Sequence, residues 1–289
     1  MSAIWQRMHD DMQLAGLATR TQESYLGAAR RLADHYHKAP DQISEEELRQ
    51  YFLLLRNERK VARSTMIIAL CGIKFLFERT LQRDWPTLTI LRPPAEQKLP
   101  AVLSIAEIQD LLARIRIPRY RVCLSLIYAC GLRLLEGVTL TVPQIDSARM
   151  VLHIQGGKGN KDRYVPLPQR ALTMLRAHWL THRQPHWLFP AIDPNSETVY
   201  QATKPMPPDG MQRAFRAAVQ EAGLHKHATV HTLRHSWATH LLEAGVSVRM
   251  IQVWLGHASL TTTSRYMHLT SNAEQRASAT LDLLLDGLM

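Results

Sequence analysis

The chain has 289 residues, 46% hydrophobic and 21% charged, which is enough apolar material for two packed cores and excludes a disordered polypeptide. Lys and Arg number 35 against 25 Asp and Glu, a formal net charge of +10, and that excess favours a polyanionic partner, nucleic acid before a membrane surface. No apolar run reaches membrane-spanning length, no signal-peptide pattern opens the chain, and Cys71, Cys123 and Cys130 are not spaced as pairs; the expectation is a cytoplasmic protein without disulfides or a cysteine zinc site.

The first part reads as helices alone. Ile4 to Ala15 is a short amphipathic segment, and Thr19 to Tyr36 places Tyr25, Leu26, Ala29, Leu32 and Ala33 on one face. Ser44 and Glu47 form a capping box that opens a helix through Tyr51, Phe52 and Leu55, and Ser64 to Leu81 supplies a fourth helix. Basic residues recur near these helix ends, among them Arg30, Arg31, Arg63 and Lys74. They are candidate phosphate contacts, although such charges more often mark a solvated helix face.

Pro86, Pro93, Pro94 and Pro100 then break the pattern, and the stretch from Trp85 to Pro100 is expected to be an extended linker. The resulting division is a helical domain over 1–93, a Pro-rich linker over 94–100 and a second domain over 101–289. In the second domain Ser104 and Glu107 form another capping box, and Pro118 to Gly131 reads as a buried helix, with Arg133 following the glycine in GLRLLEG. Met150 to Gln155 and Tyr164 to Leu167 alternate as paired strands around the Gly-rich turn GGKGNK. Helices follow at Gln169 to His182 and Asp209 to Ala222, with a loop-like region from Gln184 to Pro208.

The most informative stretch runs from Val230 to Thr270. His231 and Arg234 are three apart, so they share a helix face, beside an apolar stripe of Leu233, Trp237, Leu241 and Leu242. Gly245 ends that helix, Ser247 caps the next, and Gly256 terminates it just before His257. Tyr266 follows after Thr261, Thr262 and Thr263. A fixed cation, two imidazoles and a phenol suit attack on a phosphate, and the phenol is the evident nucleophile.

HTLRH, LGH and Tyr266, nine residues beyond His257, resemble the C-terminal signature of the tyrosine recombinase family of phage integrases and Xer-like site-specific recombinases. GLRLLEG is similar to that family's GLR-x-x-E element, with Leu134 and Leu135 where Ile-Ser is common, and GGKGNKDRYVPL to its β-hairpin. The resemblance implies a mainly α protein: a helical core-binding DNA-binding bundle, then a mostly helical catalytic domain with a small β-sheet. It implies catalysis by Arg133, Lys158, His231, Arg234, His257 and Tyr266. The two arginines would offset phosphate charge, as always-charged planar forks can. Lys158 would protonate the departing 5′ oxygen, His231 would act as acid or base, His257 would hydrogen-bond the phosphate, and Tyr266 would form a 3′-phosphotyrosyl link. Lys161 and Arg163 are expected on backbone phosphates, and Glu136 in local support.

No cofactor or metal is required by this chemistry. The implied partners are a double-stranded DNA recombination site and further copies of the chain, assembled as a tetramer on DNA. The segment from Ala279 to Leu288, rich in leucine, either docks in trans on a neighbouring subunit or folds back in cis. No arm-site domain is expected ahead of the bundle, which favours a simple Xer-like or mobile-element recombinase. Three other readings stand beside this one: a type IB topoisomerase-like relaxing enzyme, a non-catalytic DNA-binding regulator, and a zinc hydrolase built on His225, His227, His231, His235 and His240.

Overall fold

A computed structural model describes residues 3–91, 100–157, 161–192, 199–257 and 263. The chain divides into two compact units, Met1–Lys98 and Leu99–Met289.

The first unit is helical throughout its described residues: α1 (Ala3–Leu14), α2 (Thr19–Tyr36), α3 (Glu45–Leu53), α4 (Arg63–Lys74) and α5 (Pro86–Ile90). Ser44 caps α3 as expected, its hydroxyl accepting from the Glu47 amide while the Glu47 carboxylate accepts from the Ser44 amide. Such a cap is worth about 1 kcal/mol. The core gathers Met8, Met12, Leu32, Leu48, Phe52, Ile73, Leu76 and Phe77. Both α3 and α4 end in π-helical turns, Leu54–Glu58 and Phe75–Thr80, which the apolar periodicity does not reveal. The second turn buries Thr80, whose hydroxyl donates to Asp11 at 2.7 Å and ties the turn to α1. The expectation of an extended chain from Trp85 onward is corrected at its start. Pro86 opens α5 because a proline at the first helical position gives up no needed hydrogen bond. The remainder of the linker up to residue 99 lies outside the described residues.

The second unit holds α6 (Ile105–Arg114), α7 (Pro118–Cys130), α8 (Leu134–Val138), β1 (Ile145–Asp146), β2 (Val151–Gly157), β3 (Lys161–Pro166), α9 (Gln169–Leu180), α10 (Pro208–Glu221), α11 (Val230–Glu243) and α12 (Val248–Leu255). The Ser104–Glu107 capping box opens α6. The strands form an antiparallel sheet in the order β1-β2-β3, with Leu152 opposite Val165 and Ile154 opposite Arg163, and a register shift between Ile154 and Gly157. The two-residue β1 and the five-residue α8 carry too little pattern to be legible in the sequence. Cys123 and Cys130 are buried in the core around α7, where desolvation raises both thiols, that of Cys130 to about 12.

No helix among the described residues is long and apolar enough to cross a membrane. The C-terminal segment from Ala279 to Leu288 lies outside the described residues.

Two buried features fix the start of the candidate site. Ser236 on α11 accepts from the Leu103 amide at 2.9 Å and donates to the Thr232 carbonyl, fastening α11 to the segment ahead of α6. Gly131 ends α7 in the left-handed conformation at φ 59°, and a β-carbon there would lie 2.4 Å from the Trp237 ring. Left-handed strain and overpacking add for any larger residue. Gly131→Ala is therefore expected to cost the second unit about 2–4 kcal/mol, read as a lower urea midpoint by tryptophan fluorescence.

Candidate active site

The site is built from the ends of four helices, α7, α8, α11 and α12. Arg133 stands between the left-handed stop of α7 and the first turn of α8. Its backbone amide donates to Glu136 Oε2 and its guanidinium to Glu136 Oε1, both at 2.7 Å. Glu136 also receives both terminal nitrogens of Arg163, at 2.8 and 2.6 Å, and lies 3.9 Å from Arg234. One carboxylate thus sits among three guanidinium groups. Burial opposes its ionisation, but the hydrogen bonds and charge of Arg163, together with those of Arg133, prevail and hold its pKa at about 2.

Arg234 is 1% exposed, a position a charged side chain tolerates when its donors are satisfied. It donates to the Gly131 carbonyl and the Leu255 carbonyl, both at 2.6 Å. The second bond fills one of the carbonyls that α12 leaves open at its C-terminus. Gly256 then turns the chain at φ 63°, and His257 follows. Arg234 Nη2 lies 3.4 Å from His257 Nε2, and His257 Nδ1 lies 2.9 Å from the Thr263 hydroxyl. Since a guanidinium can only donate, Nε2 accepts and the ring proton sits on Nδ1, directed at Thr263.

His231 lies in the first turn of α11, one turn before Arg234. The residue is exposed to solvent on the surface of the unit. Partial burial, then the charges of Arg234 and Arg133, lower its pKa below 6.5, with Glu136 opposing them. Beside it, between α10 and the start of α11, opens a cavity of about 660 Å³ whose lining includes Arg216, Lys226, His227 and His231.

Arg133, His231, Arg234 and His257 are therefore brought to one locus. Lys158 and Tyr266 lie outside the described residues, as does the side chain of Lys161. Arg163 is a correction. It was expected on a DNA phosphate, yet its side chain is 6% exposed and all three guanidinium nitrogens are engaged inside the protein. Strand alternation carries the signal: Arg163 and Val165 share a face, and Val165 is fully buried. In the first unit, Arg30 and Arg31 on α2 and Arg63 at the start of α4 are exposed. Arg30 stands 5.9 Å above the Trp5 ring, and Lys74 pairs with Glu78 at 3.3 Å. A surface pair of that kind is weak enough to be exchanged for another anion.

His231 and His235 meet edge to face, 4.5 Å between ring centres. No group of three or more His, Cys, Asp or Glu among the described residues is arranged to hold a metal ion.

The geometry generates a titration test. The His231 ring should titrate below 6.5, and Arg133→Gln should move its midpoint upward by removing a nearby cation. Histidine ring nitrogen shifts followed against pH measure this; an unchanged midpoint would separate Arg133 from His231.

The Phage integrase family profile matches residues 101–273, and the phage integrase N-terminal SAM-like domain matches residues 4–87. A putative integrase/recombinase of Sinorhizobium fredii is 40% identical over 98% of this chain and 90% of its own length. An Escherichia coli integrase/recombinase is 30% identical over 97% of this chain and 94% of its own. The tyrosine recombinase XerC of Alcanivorax borkumensis is 36% identical over 68% of this chain and 64% of its own. In fold, a lambda integrase dimer bound to a core site covers 92% of this chain and 94% of its own, at TM-score 0.70 and 18% identity. XerH recombinase bound to its difH substrate covers 90% of this chain and 80% of its own, at TM-score 0.66 and 22% identity. These relatives do not favour the topoisomerase or the regulator alternative. The chain belongs to the phage integrase family of tyrosine recombinases, enzymes that exchange DNA strands through a tyrosine nucleophile.

Proposed function

We propose that this chain cuts and rejoins duplex DNA at a specific recombination site, with Tyr266 as nucleophile and Arg133, Lys158, His231, Arg234 and His257 as its catalytic set. The observation that carries the reading is the convergence of Arg133, Arg234, His231 and His257 around one anchored carboxylate. The Tyr266 oxygen attacks phosphorus while the bond to the 5′ oxygen breaks, leaving a 3′-phosphotyrosyl link and a free 5′-hydroxyl. His231, whose lowered pKa suits a base near neutrality, takes the phenol proton. Lys158 gives a proton to the departing oxygen. Arg133 donates to the non-bridging oxygens, where charge grows in the transition state, Arg234 adds its fixed positive charge beside them, and His257 exchanges its bond to Thr263 for one to the phosphate. The phosphotyrosyl bond conserves the diester energy, so a 5′-hydroxyl from another strand reverses the step without a nucleotide cofactor.

Residues 1–93 act as the core-binding domain, with Arg30, Arg31, Arg63 and Lys74 on backbone phosphates together with Lys161 from the hairpin. Residues 94–100 link it to the catalytic domain, 101–289. The basic lining beside His231 supports a polyanionic substrate. Similarity to a Tn1549 transposon integrase bound to circular intermediate DNA, TM-score 0.68, fits a mobile-element role.

Tyr266→Phe tests the chemistry. On a nicked suicide duplex, denaturing gels should show a covalent protein–DNA adduct for the parent and none for the variant, while gel shifts show equal binding. An adduct on the Phe variant would move the nucleophile elsewhere.

Strand exchange between two duplexes uses four active sites, so the assembly on DNA is a tetramer, and the leucine-rich segment docks in trans. Five leucines between Leu281 and Leu288 are too many for a solvated tail. Deleting the chain from Ala279 onward should leave a folded protein that binds one half-site but builds no paired complex in native gels. A truncated chain that still assembles and recombines would remove the segment from this role.

A further inference from the structure

The recombinase chemistry uses charges that touch the substrate. Arg163 touches none by geometry, yet it is among the most tightly held side chains of the site. It projects from β3 on the buried face it shares with Val165. Its two terminal nitrogens grip both oxygens of Glu136, and its Nε donates to the Trp254 carbonyl at 2.7 Å. Trp254 belongs to the last turn of α12. The next carbonyl of that turn, Leu255, is taken by Arg234. Two guanidinium groups therefore close the open end of α12, where positive charge also complements the helix dipole. His257 lies two residues beyond that end, and the intervening Gly256 leaves no slack: a β-carbon there would approach Arg163 Cδ to 2.9 Å.

Arg163 thus joins three parts of the site: strand β3, the carboxylate that orients Arg133, and the helix end that sets His257. We propose that Arg163 is a positioning residue for strand cleavage, locking β3, the Arg133–Glu136 pair and the end of α12 into one rigid unit. This rests on the recombinase reading. Arginine is required by shape. Its fork spans both carboxylate oxygens while a third nitrogen, in the same plane, reaches the carbonyl; a lysine ammonium cannot do all three at once. The fork is also the strongest of the influences that keep Glu136 ionised.

The test is Arg163→Lys in the full-length chain, with a nicked suicide duplex as probe. Melting temperature and half-site binding should stay close to the parent, while single-turnover adduct formation slows by about 10²-fold, the scale of a misplacement near 1 Å. The rate–pH profile should also gain an acid limb at higher pH than in the parent, because Glu136 loses its main ionising partner and takes up a proton more readily. A purely structural residue would lower melting and binding with no such limb. If the lysine variant does not fold, Arg163→Gln, which leaves Glu136 beside Arg133 and Arg234, should show the same slow cleavage and raised acid limb with retained binding. Cleavage at the parental rate in the folded variant, or an unmoved acid limb, overturns the proposal alone. A parent chain that forms no adduct overturns the recombinase reading, and the proposal with it.

Discussion

A single, largely buried carboxylate organises the second unit of this protein. Glu136 accepts from the amide and the guanidinium of Arg133, takes a two-pronged grip from Arg163, and lies beside Arg234. Three guanidinium groups at such range repel one another, and a low-dielectric setting magnifies that repulsion. One anion among them makes the cluster tenable while leaving net positive charge for a phosphate. Its carboxylate, held near 2, contributes to folding fully above the ordinary range around 4.5 and loses that contribution as the pH falls toward 2.

The same cations settle the backbone. Arg234 ties the end of α7 to the end of α12 through the Gly131 and Leu255 carbonyls, and Arg163 ties β3 to the neighbouring carbonyl of Trp254. Gly131 and Gly256 turn the chain at those two ends, each against a side chain of the site, Trp237 in one case and Arg163 in the other. Arg133 and His257, just beyond those turns, are thus carried by helix termini fixed from within. Such pre-organisation lets donors meet developing charge without reorganising first.

Much of this was legible in the residue pattern. The capping boxes at Ser44 and Ser104, the Gly256 stop and the β2–β3 hairpin follow from local rules, and the structure has each of them. The separated polar residues His231, Arg234 and His257 could be grouped because helix periodicity and glycine punctuation constrain where each falls. What escaped depends on long-range packing. Nothing local says that α3 and α4 finish in π turns, or that Ile145 and Asp146 pair with β2. Arg163 was misjudged because a lysine- and arginine-rich hairpin suggests phosphate contact, whereas the alternation with Val165 places it inside. The anchoring part of Glu136 was hidden for a related reason: its partner on β3 is 27 residues away.

The central claim is that Glu136 is an ionised anchor inside the arginine cluster, and the most direct measurement is a carbon-13 titration of its side-chain carboxyl in the full-length chain. The account predicts a midpoint near 2, far below the ordinary value of 4.5. A midpoint at or above 4.5 would mean that burial outweighs the guanidinium groups, and that the site is held together in some other way.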